Sequence, residues 1–463
     1  MIPLNNTPLW NIANEFALAQ HKQWSGEMAD ADIELWQRDA RDRTLAYCQD
    51  NSPFYRKHLS QIDADTSFDD IPFTTKAHLR EHLDDVASLS LDRSWIYYET
   101  TGTTGTSTPC PRTAEDSIRT GVALCEGYRD LLGAYGERLS IALMGPTELH
   151  STGDSFGDVF RSLGHATVKM WPHSPVVGFD RAGQLLQRLD INALTCTPGM
   201  TILLARHMES QGVNPRDLGI KVILTVGELA TPQLLSQIGD VWGAAVHSAM
   251  YASQEASILA VCQPDGALRT TPLNYYYEII DPVSGQVIDP SLESREGEIV
   301  VTHLYHGAKP LVRYRTGDLV RAHGRGQDFT VVPIGRARDG LTIANSEYTG
   351  FDFEQIILAD CPPFLDYQVD ITEHVGQDHI ELRLEPRKTG PKRANDDLAA
   401  HARRLSKYFR TPVEVSWGLT DAQTSTGAMV SWKAARIRDH RATTTIEDSS
   451  AQRIARQRES RQA

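Results

Sequence analysis

No stretch of this chain is apolar over the length needed to cross a bilayer, and its first residues, Met1-Ile2-Pro3-Leu4-Asn5-Asn6, lack the basic and apolar regions of a secretory leader. A soluble cytoplasmic protein is the expectation. Cys-x-x-Cys pairs are also missing: the six cysteines, Cys48, Cys110, Cys125, Cys196, Cys262 and Cys361, are scattered. Reduced, mostly buried thiols are therefore expected rather than a disulfide framework. An excess of basic residues is absent too. Lys plus Arg total 46 against 60 Asp plus Glu, a formal charge of -14, which repels nucleic-acid phosphates and anionic lipid alike. Neither nucleic acid nor a membrane is an expected partner, and an anionic ligand needs a local set of donors. Internal repeats are lacking, and so is the Gly-x-x-x-x-Gly-Lys-Ser/Thr spacing of a Walker loop.

What is present is a run of small hydroxylated residues and glycines between Tyr98 and Pro109, Tyr-Glu-Thr-Thr-Gly-Thr-Thr-Gly-Thr-Ser-Thr-Pro. Gly102 and Gly105 can adopt positive φ and turn backbone N–H groups inward, while Thr103, Thr104, Thr106 and Ser107 offer hydroxyl donors. The functional reading is a polyphosphate cradle formed by Thr101, Gly102, Thr103, Thr104, Gly105 and Thr106. The plain reading is a surface loop.

At 463 residues the chain exceeds what one hydrophobic core usually serves, so two domains are expected. Leu139 to Met144, Ile191 to Pro198 and Val222 to Thr225 read as short buried strands, with helical patterns over 179–189 and 199–211. That alternation predicts layered α/β structure with largely parallel sheets. Beyond Tyr275, strands broken by turn residues such as Asp281-Pro282-Val283-Ser284-Gly285 predict an antiparallel, barrel-like subdomain. A boundary at Arg338-Asp339-Gly340 gives domains over 1–338 and 339–441, the second an α+β module with helices over 351–358 and 396–409 and strands over 380–384 and 413–417. The Thr-, Ser-, Gln- and Arg-rich segment 442–463 is expected to be a disordered tail.

Four further motifs follow the loop: Met250-Tyr251-Ala252-Ser253-Gln254-Glu255, Tyr314-Arg315-Thr316-Gly317-Asp318, Gly335-Arg336-Ala337-Arg338-Asp339 and Ser431-Trp432-Lys433-Ala434. In this order, from about Pro53 to Arg441, the chain resembles the adenylate-forming superfamily. Within it the resemblance is to the phenylacetate–CoA ligase branch, through Tyr277-Glu278-Ile279-Ile280-Asp281-Pro282, Gly297-Glu298-Ile299-Val300 and Pro310-Leu311-Val312-Arg313-Tyr314-Arg315-Thr316. The resemblance implies a large N-terminal adenylation domain with a small mobile C-terminal domain. It also implies ATP- and Mg²⁺-dependent activation of a carboxylic acid, an aromatic one by family position, through an acyl-adenylate, with CoA as expected co-substrate.

Roles follow residue by residue from the resemblance. Glu255 would hold Mg²⁺ against the phosphates, Tyr251 would lie beside adenine, and Asp318 would accept hydrogen bonds from both ribose hydroxyls. Arg336 would make a second ribose or phosphate contact, Asp339 would be the hinge, and Lys433 would neutralise charge during adenylation. Each has a plainer reading, respectively a solvated acid, a core tyrosine, a turn residue, a surface arginine, a linker residue and an exposed lysine. The acid pocket is placed near His150, Trp171, Val226, Gly227, His247 and Ala249, all of which also suit sheet packing. Cys262 has no cysteine or histidine just beyond it, where Arg269 stands, so no zinc is expected.

Three positions depart from the family pattern. Thr106 stands where the loop lysine is common, and Tyr251-Ala252 replaces Tyr-Gly. Ala344-Asn345-Ser346-Glu347-Tyr348 replaces an Arg-Gly-x-Asn-Val loop past which pantetheine slides, which bears on the acceptor. Two alternatives stay open: transfer to an amine or a carrier protein, and a non-catalytic nucleotide-binding protein. A monomer or a homodimer is expected.

Overall fold

The computed structural model describes residues 6–63, 65–100, 107–337, 340–388, 395–418 and 436–441. Four helices open the chain: α1 (Thr7–Trp24), α2 (Asp30–Asn51), α3 (Pro53–His58) and α4 (Lys76–His82). They lead into a short antiparallel hairpin, β1 (Ile96–Glu99) and β2 (Pro109–Arg112), and then into α5 (Ala114–Gly133).

A five-stranded parallel sheet follows, made of β3 (Ser140–Leu143), β4 (Ala166–Lys169), β5 (Ala193–Cys196), β6 (Val222–Thr225) and β7 (Ala245–Ser248) in the order β4-β3-β5-β6-β7. The crossovers are helices α6 (Thr152–Ser162), α7 (Gly178–Arg188), α8 (Pro198–Ser210) and α9 (Pro232–Trp242). Every residue of β5 and β6 is buried, as strands covered by helices on both faces must be. Thr197-Pro198 and Thr231-Pro232 start α8 and α9: the threonine side chain accepts the Met200 or Leu234 amide, and proline sits where its missing N–H costs nothing.

The region after β7 forms a seven-stranded antiparallel sheet, from β8 (Met250–Ser253), β9 (Ser257–Cys262), β10 (Leu268–Thr270), β11 (Tyr275–Ile280), β12 (Ser294–His303), β13 (Tyr314–His323) and β14 (Thr330–Arg336), ordered β11-β12-β13-β14-β10-β9-β8. Irregular registers on β12, β13 and β8 bend it. The expected barrel-like closure is not reached, because its two edge strands, β8 and β11, do not pair. Ala249 explains the β8 side: its N–H donates to Thr225 O of the parallel sheet (2.8 Å) while its carbonyl accepts from Cys262 N (3.0 Å) and Tyr128 OH (2.9 Å). The chain thus steps directly from one sheet into the other, and the β8 edge is committed at that step.

Beyond residue 340 come the hairpin β15 (Leu341–Ile343) and β16 (Ser346–Tyr348), α10 (Gly350–Leu358), β17 (Asp366–His374), β18 (Gln377–Glu385), α11 (Asn395–Phe409), β19 (Val413–Trp417) and β20 (Ile437–Asp439). The last four strands form one sheet, ordered β19-β18-β17-β20. Its apolar face joins that of α9 in one cluster that includes Leu234, Trp242, Phe353, Phe364 and Tyr367. Ion pairs reinforce the contact. Arg206 on α8 reaches Glu385 (2.5 Å) and Asp366 (2.9 Å), and Arg436 pairs with Asp366 (2.9 Å) and Glu228 (3.7 Å). The expected hinge, Asp339, and the expected tail, 442–463, lie outside the described residues.

Candidate active site

Asp318 lies on β13 directly opposite Arg336 on β14. Its local fold is dictated by Thr316 and Gly317: Thr316 Oγ1 donates to Ile299 O (2.8 Å) and accepts from Asp318 N (3.1 Å), and Gly317 turns at φ +77°. Glu298 accepts the Gly317 amide (3.0 Å) and pairs with Arg315 (2.5 Å). So held, the Asp318 carboxylate accepts from Tyr251 OH at 2.9 Å and stands 3.5 Å from Arg336 Nε. Burial, and then the Asp318 charge and hydrogen bond, push the Tyr251 phenol well above its ordinary pKa, so it remains a donor. Asp318 and Arg336 keep 21% and 33% of their side chains exposed, which leaves both reachable by a ligand.

Two motif residues turn out to hold up this strand. Arg313 forks onto Glu278 (2.6 Å) in a buried pair and donates to the carbonyls of Asp69 and Ile71, both at 2.6 Å. Such a pair satisfies its own donors and acceptors, which is what a buried ion pair requires.

Glu255 follows β8 and is buried at 5% exposure. Burial alone would raise its pKa, but the Lys76 ammonium at 3.2 Å, its own amide and Lys309 outweigh that and hold it below the usual range. The Oε1 atom makes no well-directed hydrogen bond, although Lys76 is near. A buried carboxylate oxygen of this kind fits a hard cation such as Mg²⁺, which takes one or two protein carboxylates and completes its shell with phosphate oxygens and water. Among the described residues no three His, Cys, Asp or Glu side chains converge as a metal cluster, and a Mg²⁺ shared with phosphates needs none.

The phosphate-loop candidates Thr101, Gly102, Thr103, Thr104, Gly105 and Thr106, and Lys433, lie outside the described residues. The loop's stem is described. Thr100 and Thr108 exchange two hydrogen bonds, at 3.1 and 2.9 Å, which close it. Lys309, buried, donates to Pro109 O, and Arg112 donates to Gln254 O at 2.7 Å. Gln254 Oε1 accepts from Ser151 (3.1 Å), and Ser151 adjoins His150, whose Nδ1 lies 2.8 Å from Thr152 Oγ1. The Ser253-Gln254-Glu255 turn therefore ties the loop stem to the start of α6.

His150, Trp171, Val226, Gly227 and His247 lie at or beyond the carboxyl ends of β3, β4, β6 and β7, the side of a parallel sheet that receives ligands, with Ala249 just after β7. His247 Nε2 meets Tyr135 OH at 2.8 Å, and burial pushes its imidazole pKa down, so the ring stays neutral. Val226 and Ala249 are packing residues at 7% and 0% exposure, and Gly227 turns at φ +85°. Cys262 is buried, its thiol pushed up to about 12 by burial.

Lys76, Lys309 and Tyr135 are neighbours that sequence reasoning did not single out. For none of the three does the sequence carry a distinguishing signal. The loop that departs from the family pattern is a tight turn: Ala344 and Asn345 take φ +45° and +65° between β15 and β16, with Glu347 exposed on β16.

No family model matches the chain. It is 24% identical over 388 residues to a phenylacetate-coenzyme A ligase of Pseudomonas putida, covering 81% of this chain and 86% of that protein. Against the phenylacetate-coenzyme A ligase of Thermus thermophilus it is 27% identical over 385 residues, 75% of this chain and 80% of the other. Among solved structures, 2-hydroxyisobutyryl-CoA ligase in its postadenylation state superposes with a TM-score of 0.71 at 18% identity over 93% of each chain. An acyl acid amido synthetase in complex with 2,4-DB superposes with 0.65 at 15% identity over 91% of this chain and 94% of its own. In sequence the chain is thus similar to phenylacetate-coenzyme A ligases, and in fold to 2-hydroxyisobutyryl-CoA ligase.

Proposed function

We propose that this chain is an ATP-dependent, AMP-forming acid–thiol ligase that activates an aromatic carboxylic acid and passes the acyl group to CoA. The observation that carries the reading is the Asp318 carboxylate, fixed by Tyr251 and Arg336 yet open to solvent, with the buried Tyr314 within reach of both its charge and that of Glu255. In the first half-reaction the acid's carboxylate oxygen bonds to the α-phosphorus of ATP and pyrophosphate leaves with the electron pair. In the second, the thiol sulfur attacks the acyl carbon and AMP leaves.

Asp318 fixes the ribose by accepting its hydroxyls, and Arg336 neutralises charge beside it. Mg²⁺, when bound at Glu255, supplies Lewis-acid screening of the phosphates. Residues 101–106 supply backbone and hydroxyl donors, Lys433 a cation for the first half-reaction, and Asp339 the hinge of the 339–441 domain. The acid lies at the carboxyl ends of the parallel strands, where His150 and His247 offer partners to a polar ring substituent. Among the described residues no helix is long and apolar enough to cross a membrane. The proposal is a cytoplasmic enzyme, monomer or homodimer, with no nucleic acid or membrane partner.

Incubation with a panel of aromatic acids, ATP and Mg²⁺ tests the reading: acid-dependent exchange of labelled pyrophosphate into ATP is expected, and its absence across the panel overturns it. The turn at Ala344-Asn345 favours a second reading, transfer to an amine, because side chains and the exposed Glu347 stand where glycine leaves bare backbone in CoA ligases. Competition between CoA and small amines for the preformed adenylate decides between the two.

A further inference from the structure

We propose that Lys76 is a polyphosphate-binding residue that takes the β- and γ-phosphates of ATP, and so the departing pyrophosphate. The assignment rests on the adenylate-forming reading above. It is carried by where Lys76 is held, what it touches, and which other cations surround Glu255.

The segment before Lys76 is laid along the start of β13. Thr74 N donates to Arg313 O at 3.0 Å and Arg315 N donates to Thr74 O at 2.9 Å, and Thr74 Oγ1 lies 3.1 Å from Tyr55 OH, which accepts from Val312 N at 2.9 Å. Thr75 then caps α4 through a reciprocal box with His78. Lys76 is thus the first residue of a capped helix whose lead-in is hydrogen-bonded to the strand that carries Asp318.

Its ammonium lies 3.2 Å from Glu255 Oε1, with 37% of the lysine side chain exposed against 6% of the glutamate side chain. A pair with one end in water contributes little to stability, and it leaves the ammonium's remaining hydrogens accessible to a second anion. The neighbouring cations are committed elsewhere. Lys309 is buried against Pro109 O and Cys110, with its pKa pushed down by burial, and Arg112 is buried on Gln254 O. Among the described residues around Glu255, Lys76 is the lysine that solvent also reaches.

Chemistry gives this position a task. As the acid's oxygen bonds to the α-phosphorus, the bond from that phosphorus to the bridging oxygen breaks and negative charge gathers on pyrophosphate. A preorganised ammonium at that point lowers the barrier. Without ATP, Glu255 engages Lys76; a Mg²⁺ held by Glu255 would leave the same ammonium to the phosphates.

Lys76→Met keeps the side-chain length and removes the charge, and Lys76→Arg keeps the charge. Calorimetric titration of the full chain with Mg-ATP, Mg-pyrophosphate and AMP, together with thermal unfolding, tests the assignment. In Lys76→Met, ATP and pyrophosphate are expected to bind about 10-fold more weakly or worse while AMP stays within about 2-fold and unfolding remains a single cooperative transition; Lys76→Arg restores most of the loss. Pyrophosphate affinity equal to that of the parent, or an equal loss for AMP, overturns the assignment alone, since the parent still binds all three. A parent that binds none of them overturns the adenylating reading and the assignment with it.

Discussion

In the proposed reaction Asp318 faces the nucleotide alone, and its removal should act on one ligand. Asp318→Ala is expected to weaken ATP by about 2–3 kcal/mol, the worth of hydrogen bonds to a charged acceptor, and to leave acid binding within about 2-fold. Calorimetric titration of both ligands checks it, and equal losses would mean a distorted fold. A second residue sets a pH dependence. Burial pushes the His303 pKa down to about 3, and its ring accepts from Leu311 N. Its neutral form is the folded one, so this contribution is whole above about pH 6.5 and is lost as pH falls from there toward 3, with a slope of about 1.4 kcal/mol per pH unit. Urea unfolding at about pH 7 and about pH 5.5 should show a shallower fall for His303→Gln than for the parent. Much at this scale was legible in advance, because Tyr251, Asp318 and Arg336 sit in motifs whose order is a signal. Lys76 was not, because a lysine at a helix start looks like any other. The motif residues Glu278, Glu298, Arg313 and Arg315 carry the opposite lesson: they pair with one another and support the strand, which a sequence pattern cannot distinguish from contact with a ligand.

Among elements, β11 and β12 leave no room for a side chain at Gly297. A Cβ there would stand 2.4 Å from Ile280 O and 2.9 Å from Ile288 Cδ1. Gly297→Ala is therefore expected to cost about 1–3 kcal/mol. It should also weaken ATP, since β12 carries the Glu298 that holds the Gly317 turn. Thermal unfolding and ATP titration of the variant check both, and an unchanged melting temperature would show that the strands part at no cost. The short strands β3, β5 and β6 and the helices α7 and α8 were readable from apolar runs and period. The openness of the seven-stranded sheet was not, because closure is decided by which edges meet. Local alternation carries no information about the commitment of Ala249.

Across the whole molecule, the residues beyond 340 are clasped to the parallel-sheet region by Arg206 and Arg436 on shared carboxylates. Arg206→Ala leaves Glu385 and Asp366 with less compensation at 5% and 2% exposure. A loss of about 3 kcal/mol is expected if the clasp stays shut. Under the proposed two-step reaction, any opening of the clasp should slow adenylation more than thioester formation. Separate assays of pyrophosphate exchange and of thioester formation from the preformed adenylate read this out, and equal effects on both would detach Arg206 from the reaction. The sequence placed a compact α+β module here from its helical and strand runs, but ion pairs between residues far apart in the chain leave no local trace.

Ala249 gives the molecule one further property. Its N–H is tied to the sheet whose carboxyl ends carry the proposed acid site, and its carbonyl to the sheet that carries Asp318. One residue is thus a shared datum for the two proposed reactant sites: the step between the two sheets is fixed by backbone hydrogen bonds. Under the proposed reaction, tolerance for acids of different length is then set by the side chains lining that site, since the backbone step between the sheets does not stretch.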